Sequence, residues 1–192
     1  TAGFAGLINA VLRRLTREHV ERLAAIDTLA VDTPEWMRAR WVRAYGAERA
    51  RAICEIHAFE PALDLTVTGD PAHWATELNG EVLPTGSVRI LQAGPVRALP
   101  GFAEGDWWVQ DAAAAVPGRL LGVKSGETVL DMCAAPGGKT LQLAAAGGQV
   151  VALDRSAPRL KRLTQNLERT GLTAEVVAVP AEDWDDARVF DA

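Results

Sequence analysis

From Thr128 onward the chain repeats one pattern: a short apolar run, a turn of small residues, then an amphipathic segment. Thr128–Met132, Gln149–Leu153 and 175–179 read as strands, and 138–146 and 157–170 as helices. The second helix sets Leu160, Leu163 and Leu167 on one face. Strands that alternate with helices must lie parallel, because each helix returns the chain to the same end of the sheet. The pattern therefore predicts an α/β fold with right-handed crossovers. Phe190, Asp191 and Ala192 read as the entrance to a fourth strand.

The upstream part has a different rhythm. Leu7, Ile8, Val11, Leu12 and Leu15 recur at helical spacing with Arg13, Arg14 and Arg17 beside them, so the chain begins inside a helix. Thr33 and Pro34 form a cap and first turn, Trp36, Met37, Trp41 and Tyr45 continue an apolar face, and Gly46 closes the helix. Residues 47–59 form the next one. Leu63, Leu65 and Val67 alternate as a half-buried strand does, 71–78 is a short helix, and Val88 with Ile90 marks another strand. Residues 61–100 thus read as a small α+β unit. A loop leads to Trp107 and Trp108 and to an alanine-rich helix over 111–121.

The net charge of −5 argues against non-specific nucleic-acid binding, but its distribution is uneven. The first 60 residues hold nine arginines against eight acids, and the remainder eleven bases against seventeen acids. Any RNA contact is expected in the first part, although arginines on helices commonly form only a solvated face. No run of about 18 apolar residues suits a membrane span, and no secretory signal opens the chain, so no membrane partner and a cytoplasmic location are expected. Cys54 and Cys133 stand in unlike contexts and His19, His57 and His73 are isolated, which predicts neither a disulfide nor a metal site. Cys54 reads as core.

The chemistry concentrates at Asp131-Met132-Cys133-Ala134-Ala135-Pro136-Gly137-Gly138-Lys139-Thr140, between a strand and a helix. Small residues there let a ligand approach the backbone, and amides at the helix start attract an anion. Asp154 ends the next strand, where an acid accepts hydrogen bonds from a ribose hydroxyl pair. Together they point to a nucleoside-bearing ligand.

This ten-residue string resembles the cofactor loop of the NOL1/NOP2/Sun family of RNA 5-methylcytosine methyltransferases, in the bacterial branch that modifies small-subunit ribosomal RNA. Gly6 to Arg14 resembles the last helix of that branch's NusB-like RNA-binding domain. Thr33-Pro34-Glu35-Trp36 resembles the start of its linker helices, and Gly101-Phe102 with Val109-Gln110-Asp111 the lead-in to its core. The resemblance implies three parts. Residues 1–20 end the NusB-like domain, 21–105 form an intermediate helical and α+β linker domain, and 106–192 form the first half of a Rossmann-like methyltransferase core.

The implied cofactor is S-adenosylmethionine, with Cys133, Ala134, Ala135, Pro136, Gly137, Gly138 and Lys139 around its methionine and ribose. Asp154 is expected at the ribose and Arg159 beside the nucleoside. The implied partner is ribosomal RNA, 16S in bacteria. Pro180 stands where the family tends to place an adenine-binding Asp, so Glu182 and Asp183 are the expected substitutes. Family chemistry adds a cysteine thiolate to carbon 6 of cytosine and moves a methyl group to carbon 5. The family's two cysteines for this lie beyond Ala192, so no catalytic residue is expected in this chain, which by itself is expected to be an inactive piece of a longer enzyme. Cys133 reads as a small packing residue of the loop.

Two other readings compete. Gly138-Lys139-Thr140 imitates the end of a phosphate-binding loop, although Cys133 stands where that motif places Gly and Pro136 interrupts it. A non-catalytic RNA-binding or ribosome-assembly module is the second. Trp107 and Trp108 bear on it, because exposed tryptophans stack on bases, whereas adjacent pairs usually have one ring buried and one partly covered.

Overall fold

The computed structural model describes residues 2–192, with no side-chain detail for Ala2, Thr28 and Leu29. It divides into two compact units that part between Glu60 and Pro61.

The first unit is helical: α1 (Ala5–Ala24), α2 (Thr28–Asp32), α3 (Glu35–Tyr45) and α4 (Ala47–His57). α1 is continuous across residue 20 and buries no side chain, so Leu7, Ile8, Val11, Leu12 and Leu15 remain about half exposed. α3 begins one residue later than the Thr33–Pro34 cap predicts. Pro34 keeps an extended ψ of 136° ahead of the helix, and Thr33 is buried without capping it. The expected apolar face of α3 is only partly covered: Trp36 and Tyr45 are exposed, while the Trp41 ring meets the His57 ring edge-on at 5.3 Å. α4 ends at His57 rather than residue 59, and Cys54 is buried as expected.

The second unit carries two sheets. An antiparallel sheet in the order β2-β3-β1-β4 is built from β1 (Leu63–Val67), β2 (Glu81–Val82), β3 (Val88–Ile90) and β4 (Trp107–Val109), with α5 (Pro71–Glu77) against it. β1 is buried on both faces, not half-buried as its alternation predicts. Asp64 and Thr66 are each 4% exposed, because their face meets α6 (Ala112–Leu120) and the Gln110 side chain. Arg89 grips Asp64 with two hydrogen bonds of 2.7 and 2.8 Å, and Asp64 also accepts from the amide of Ala112 at 3.0 Å. The Arg89 guanidinium holds the Asp64 carboxyl below the usual carboxylate range.

The second sheet is parallel, in the order β5-β6-β7, with β5 (Thr128–Met132), β6 (Gln149–Leu153) and β7 (Glu175–Val177). α7 (Gly138–Ala145) and α8 (Ala157–Thr170) connect them. β7 stops at Val177, where its pairing with Leu153 of β6 ends. Beyond it, Asp191 donates to the carbonyl of Thr128 and Ala192 accepts from Leu130, so the expected fourth strand enters along the free edge of β5. Leu160, Leu163 and Leu167 pack with Ala152, Leu141 and Trp108, while Val129, Leu143 and Val150 form a separate cluster.

Trp107 and Trp108 are 0% and 2% exposed, which removes both from any base-stacking role. The prediction of one partly covered ring fails because strand alternation sends the rings into two different cores, Trp107 toward Leu65 and Val88 and Trp108 toward Leu163. Arg169 of α8 strengthens the junction by donating to the carbonyls of Phe102 (2.7 Å) and Trp107 (3.0 Å). Its guanidinium lies 4.3 Å from the centre of the Phe102 ring, and burial pushes its pKa down.

Candidate cofactor site

The site forms where β5 and β6 end. At the carboxyl ends of parallel strands, helix starts and turn amides converge on one crevice. The loop from Met132 to Gly137 is fastened to β6: Ala134 donates to the carbonyl of Leu153 at 2.9 Å, and Gly137 donates back to Ala134 at 2.8 Å. Gly137 caps α7 in the left-handed region at φ 109°, and a β-carbon there would stand 3.0 Å from the Leu163 side chain. The positive φ favours glycine, and any side chain there would also force Leu163 to yield. The loop contains a cis bond between Ala135 and Pro136. The first amides of α7 have no carbonyl one turn back to bond; that of Thr140 goes to Asp131, and those of Gly138 and Lys139, which line the cleft, remain as donors.

A cleft of about 220 Å³ opens beside this loop, with Asp131, Cys133, Pro136, Gly138 and Lys139 on one side and Gln110 with Asp111 on the other. Cys133 is exposed into it at φ 66°, which corrects the expectation of a packed side chain. Its thiol faces the opening because the left-handed backbone turns it away from the core. Asp131 accepts from the Thr140 hydroxyl at 2.6 Å, and burial raises its pKa above the usual carboxylate range. Lys139 is exposed at the rim.

Asp154 stands behind the loop, only 4% exposed. Its carboxylate accepts from the amides of Ser156 (2.8 Å) and Ala135 (3.1 Å), with an Arg159 nitrogen 3.6 Å away. A carboxylate has about four lone-pair directions, so two amides leave acceptor capacity for a hydroxyl pair. Arg159 also donates to the carbonyl of Ala135. The structure thus unites Cys133 to Lys139 with Asp154 and Arg159. Glu182 and Asp183 are not brought to the cleft wall; they sit exposed in a short turn after Pro180.

Several contributors escape a reading of the sequence. Gln110 and Trp108 hold the loop from the far side, the indole N–H donating to the carbonyl of Gly138 at 3.1 Å. A polar residue between a strand and a helix reads as ordinary loop, and nothing local marks Gln110 as buried. A larger cleft of about 620 Å³ lies at the opposite strand ends, by Thr128, Gln149 and Glu175. It lacks a glycine turn leading into a helix, and its arginine, Arg188, is already tied to Glu175 and Asp186. Among the described residues, no group of three His, Cys, Asp or Glu side chains is placed to hold a metal, and no helix is long and apolar enough to cross a membrane.

A parallel sheet with a glycine turn after one strand and a buried acid after the next is a Rossmann-like core, the arrangement that S-adenosylmethionine-dependent methyltransferases share. Residues 119–191 match the family described as 16S rRNA methyltransferase RsmB/F. Ribosomal RNA small subunit methyltransferase B of Pseudomonas putida is 37% identical over 206 aligned residues, covering 96% of this chain and 47% of that protein. The probable enzyme of the same name from Bacillus subtilis is 35% identical, covering 89% and 42%. A solved methyltransferase homologue from Pyrococcus horikoshii superposes with a TM-score of 0.63 at 26% identity, covering 79% of this chain and 53% of that one. Residues 119–191 thus belong to the RsmB/F family of ribosomal RNA methyltransferases, and the chain spans less than half the length of these two bacterial relatives.

Proposed function

We propose that this chain carries the cofactor site of an enzyme that methylates cytosine at carbon 5 in small-subunit (16S) ribosomal RNA. The observation that supports this most is that the loop lining the cleft, which ends in the Gly137 turn and the start of α7, is held by the Asp154 carboxylate through the Ala135 amide. S-adenosylmethionine supplies an electrophilic methyl group when bound. Its negative carboxylate suits the α7 amides and Lys139, and its ribose hydroxyls suit the remaining lone pairs of Asp154. Arg159, tied to Asp154 and the Ala135 carbonyl, holds the loop against the nucleoside. Glu182 and Asp183 serve the adenine amino group after their turn moves inward.

Cys133 lines the cofactor side of the cleft and does not match the position of the family's nucleophile. Ribosomal RNA meets the helical unit first. There Arg13, Arg17, Arg40 and Arg43 make no ion pair among the described residues, which leaves them for phosphates. The enzyme works in the cytoplasm, where its RNA is made.

Isothermal titration of S-adenosylmethionine into the full chain tests the reading. Saturable binding is expected, weakened at least about tenfold by Asp154→Ala through loss of charged hydrogen bonds. Displacement by ATP with magnesium would favour the phosphate-loop reading instead.

A further inference from the structure

A line of side-chain amides runs behind the cofactor cleft. The Thr66 hydroxyl donates to Gln110 Oε1 at 2.8 Å, and the Trp108 indole donates to the same oxygen at 3.0 Å. Gln110 Nε2 donates to Gln142 Oε1 at 3.0 Å, and Gln142 Nε2 donates to the carbonyl of Ala115 at 2.9 Å. Thr66, Trp108 and Gln110 are each at most 5% exposed.

The chemistry at both ends dictates every direction in this line. An indole N–H only donates, so Gln110 must turn its oxygen toward Trp108; a carbonyl only accepts, so Gln142 must turn its nitrogen toward Ala115. The middle link is then forced to run from Gln110 nitrogen to Gln142 oxygen, as observed. Space is reserved for it. A β-carbon on Gly118 of α6 would stand 2.7 Å from Gln142 Oε1. The line joins β1 of the antiparallel sheet to α6 and α7, and Trp108 also holds the carbonyl of Gly138 in the cofactor loop. Gln110 itself forms part of the cleft wall.

We infer that Gln110 and Gln142 are positioning residues for the cofactor: their fixed amide line sets the distance between the antiparallel sheet and the Gly138 turn, and so the width of the crevice. The inference rests on the cofactor reading above. A line built on two amide donors in series is sensitive to the loss of either one. Gln110→Glu keeps the length and the oxygen that accepts from Thr66 and Trp108 but sets oxygen against oxygen at Gln142, which pushes α7 away. When the new carboxyl takes up a proton it regains a donor, and the line closes again.

The test is isothermal titration of S-adenosylmethionine into the full chain across acid to neutral pH, with thermal unfolding recorded in parallel. Gln110→Glu is expected to bind about tenfold more weakly than the parent at neutral pH, since small displacements of a binding group carry effects of this order. The ratio to the parent should return toward one as the pH falls and the new carboxyl protonates. Gln110→Leu should be weak at every pH. Should Gln110→Glu fail to fold, Gln142→Glu loses the donor to Ala115 and is expected to show the same acid recovery. Parent-like affinity at neutral pH in whichever Glu variant folds, or weak binding with no acid recovery, overturns the inference and leaves the cofactor reading intact. Failure of the parent to bind overturns both, and collapse of both Glu variants with Gln110→Leu binding normally overturns the inference alone.

Discussion

Two helices with similar sequence rhythm meet opposite fates. α8 and α1 both carry a leucine-rich stripe at three- and four-residue spacing with arginines beside it. In α8 the stripe disappears into a sheet, with Leu163 fully covered; in α1 every described apolar side chain remains at least half exposed or nearly so. Periodicity thus specifies a helix and its apolar face, but what covers that face depends on elements elsewhere in the chain.

Substitutions can break or sharpen this contrast. The largest effect is expected where α8 meets the loop ahead of β4. Gly105 sits at φ 83°, and a β-carbon there would lie 2.0 Å from the Arg169 carbonyl oxygen. Gly105→Ala should therefore destabilise the second unit by about 4 kcal/mol in urea unfolding, because backbone can yield on neither side. A loss below about 1 kcal/mol would show that the end of α8 is not clamped.

Leu163→Ala comes next, at about 3 kcal/mol, since it empties a covered site against Gly137 and Ala152. The matching change on α1, Leu12→Ala, should cost no more than about 0.5 kcal/mol. Equal losses at the two positions would mean that α1 is covered in solution and would erase the contrast.

The smallest expected effect is a pH slope. Burial raises the pKa of Asp131, so the folded chain binds its proton more tightly than the unfolded chain does. The sign follows: stability falls as pH rises from the ordinary aspartate range through the raised value. Asp131→Asn keeps an acceptor for Thr140 and removes that slope. The variant should match its parent in acid and exceed it slightly at neutral pH, as read from urea midpoints at several pH values; a variant less stable at neutral pH would contradict the burial argument.

The parallel half was largely legible beforehand. Thr128–Met132 and Gln149–Leu153 have the bounds their apolar runs predict, Gly137 takes the left-handed turn ahead of α7, and Asp154 directly follows β6. Local physics suffices at such positions: a left-handed turn needs glycine, and a strand end facing a helix start favours an acid. Tertiary facts were not legible. Asp64 and Thr66 look like the wet face of a strand, yet each is buried because residues far along the chain, Ala112 of α6 and Gln110, supply partners. Gln110 hides for the same reason, since its three side-chain partners, Thr66, Trp108 and Gln142, come from β1, β4 and α7. The exposure of Cys133 turns on one backbone angle that the residue type disfavours.

The adjacent tryptophans of β4 have a consequence for modularity. One strand lends a ring to each core, so neither sheet of the second unit owns a complete interior without it. Severing the chain on either side of β4 would strip a tryptophan from one partner and strand the other with an open hole. The two sheets should therefore melt as a single foldon, and recombination that exchanges the small sheet between homologues must carry Trp107 and Trp108 together with both of their surroundings.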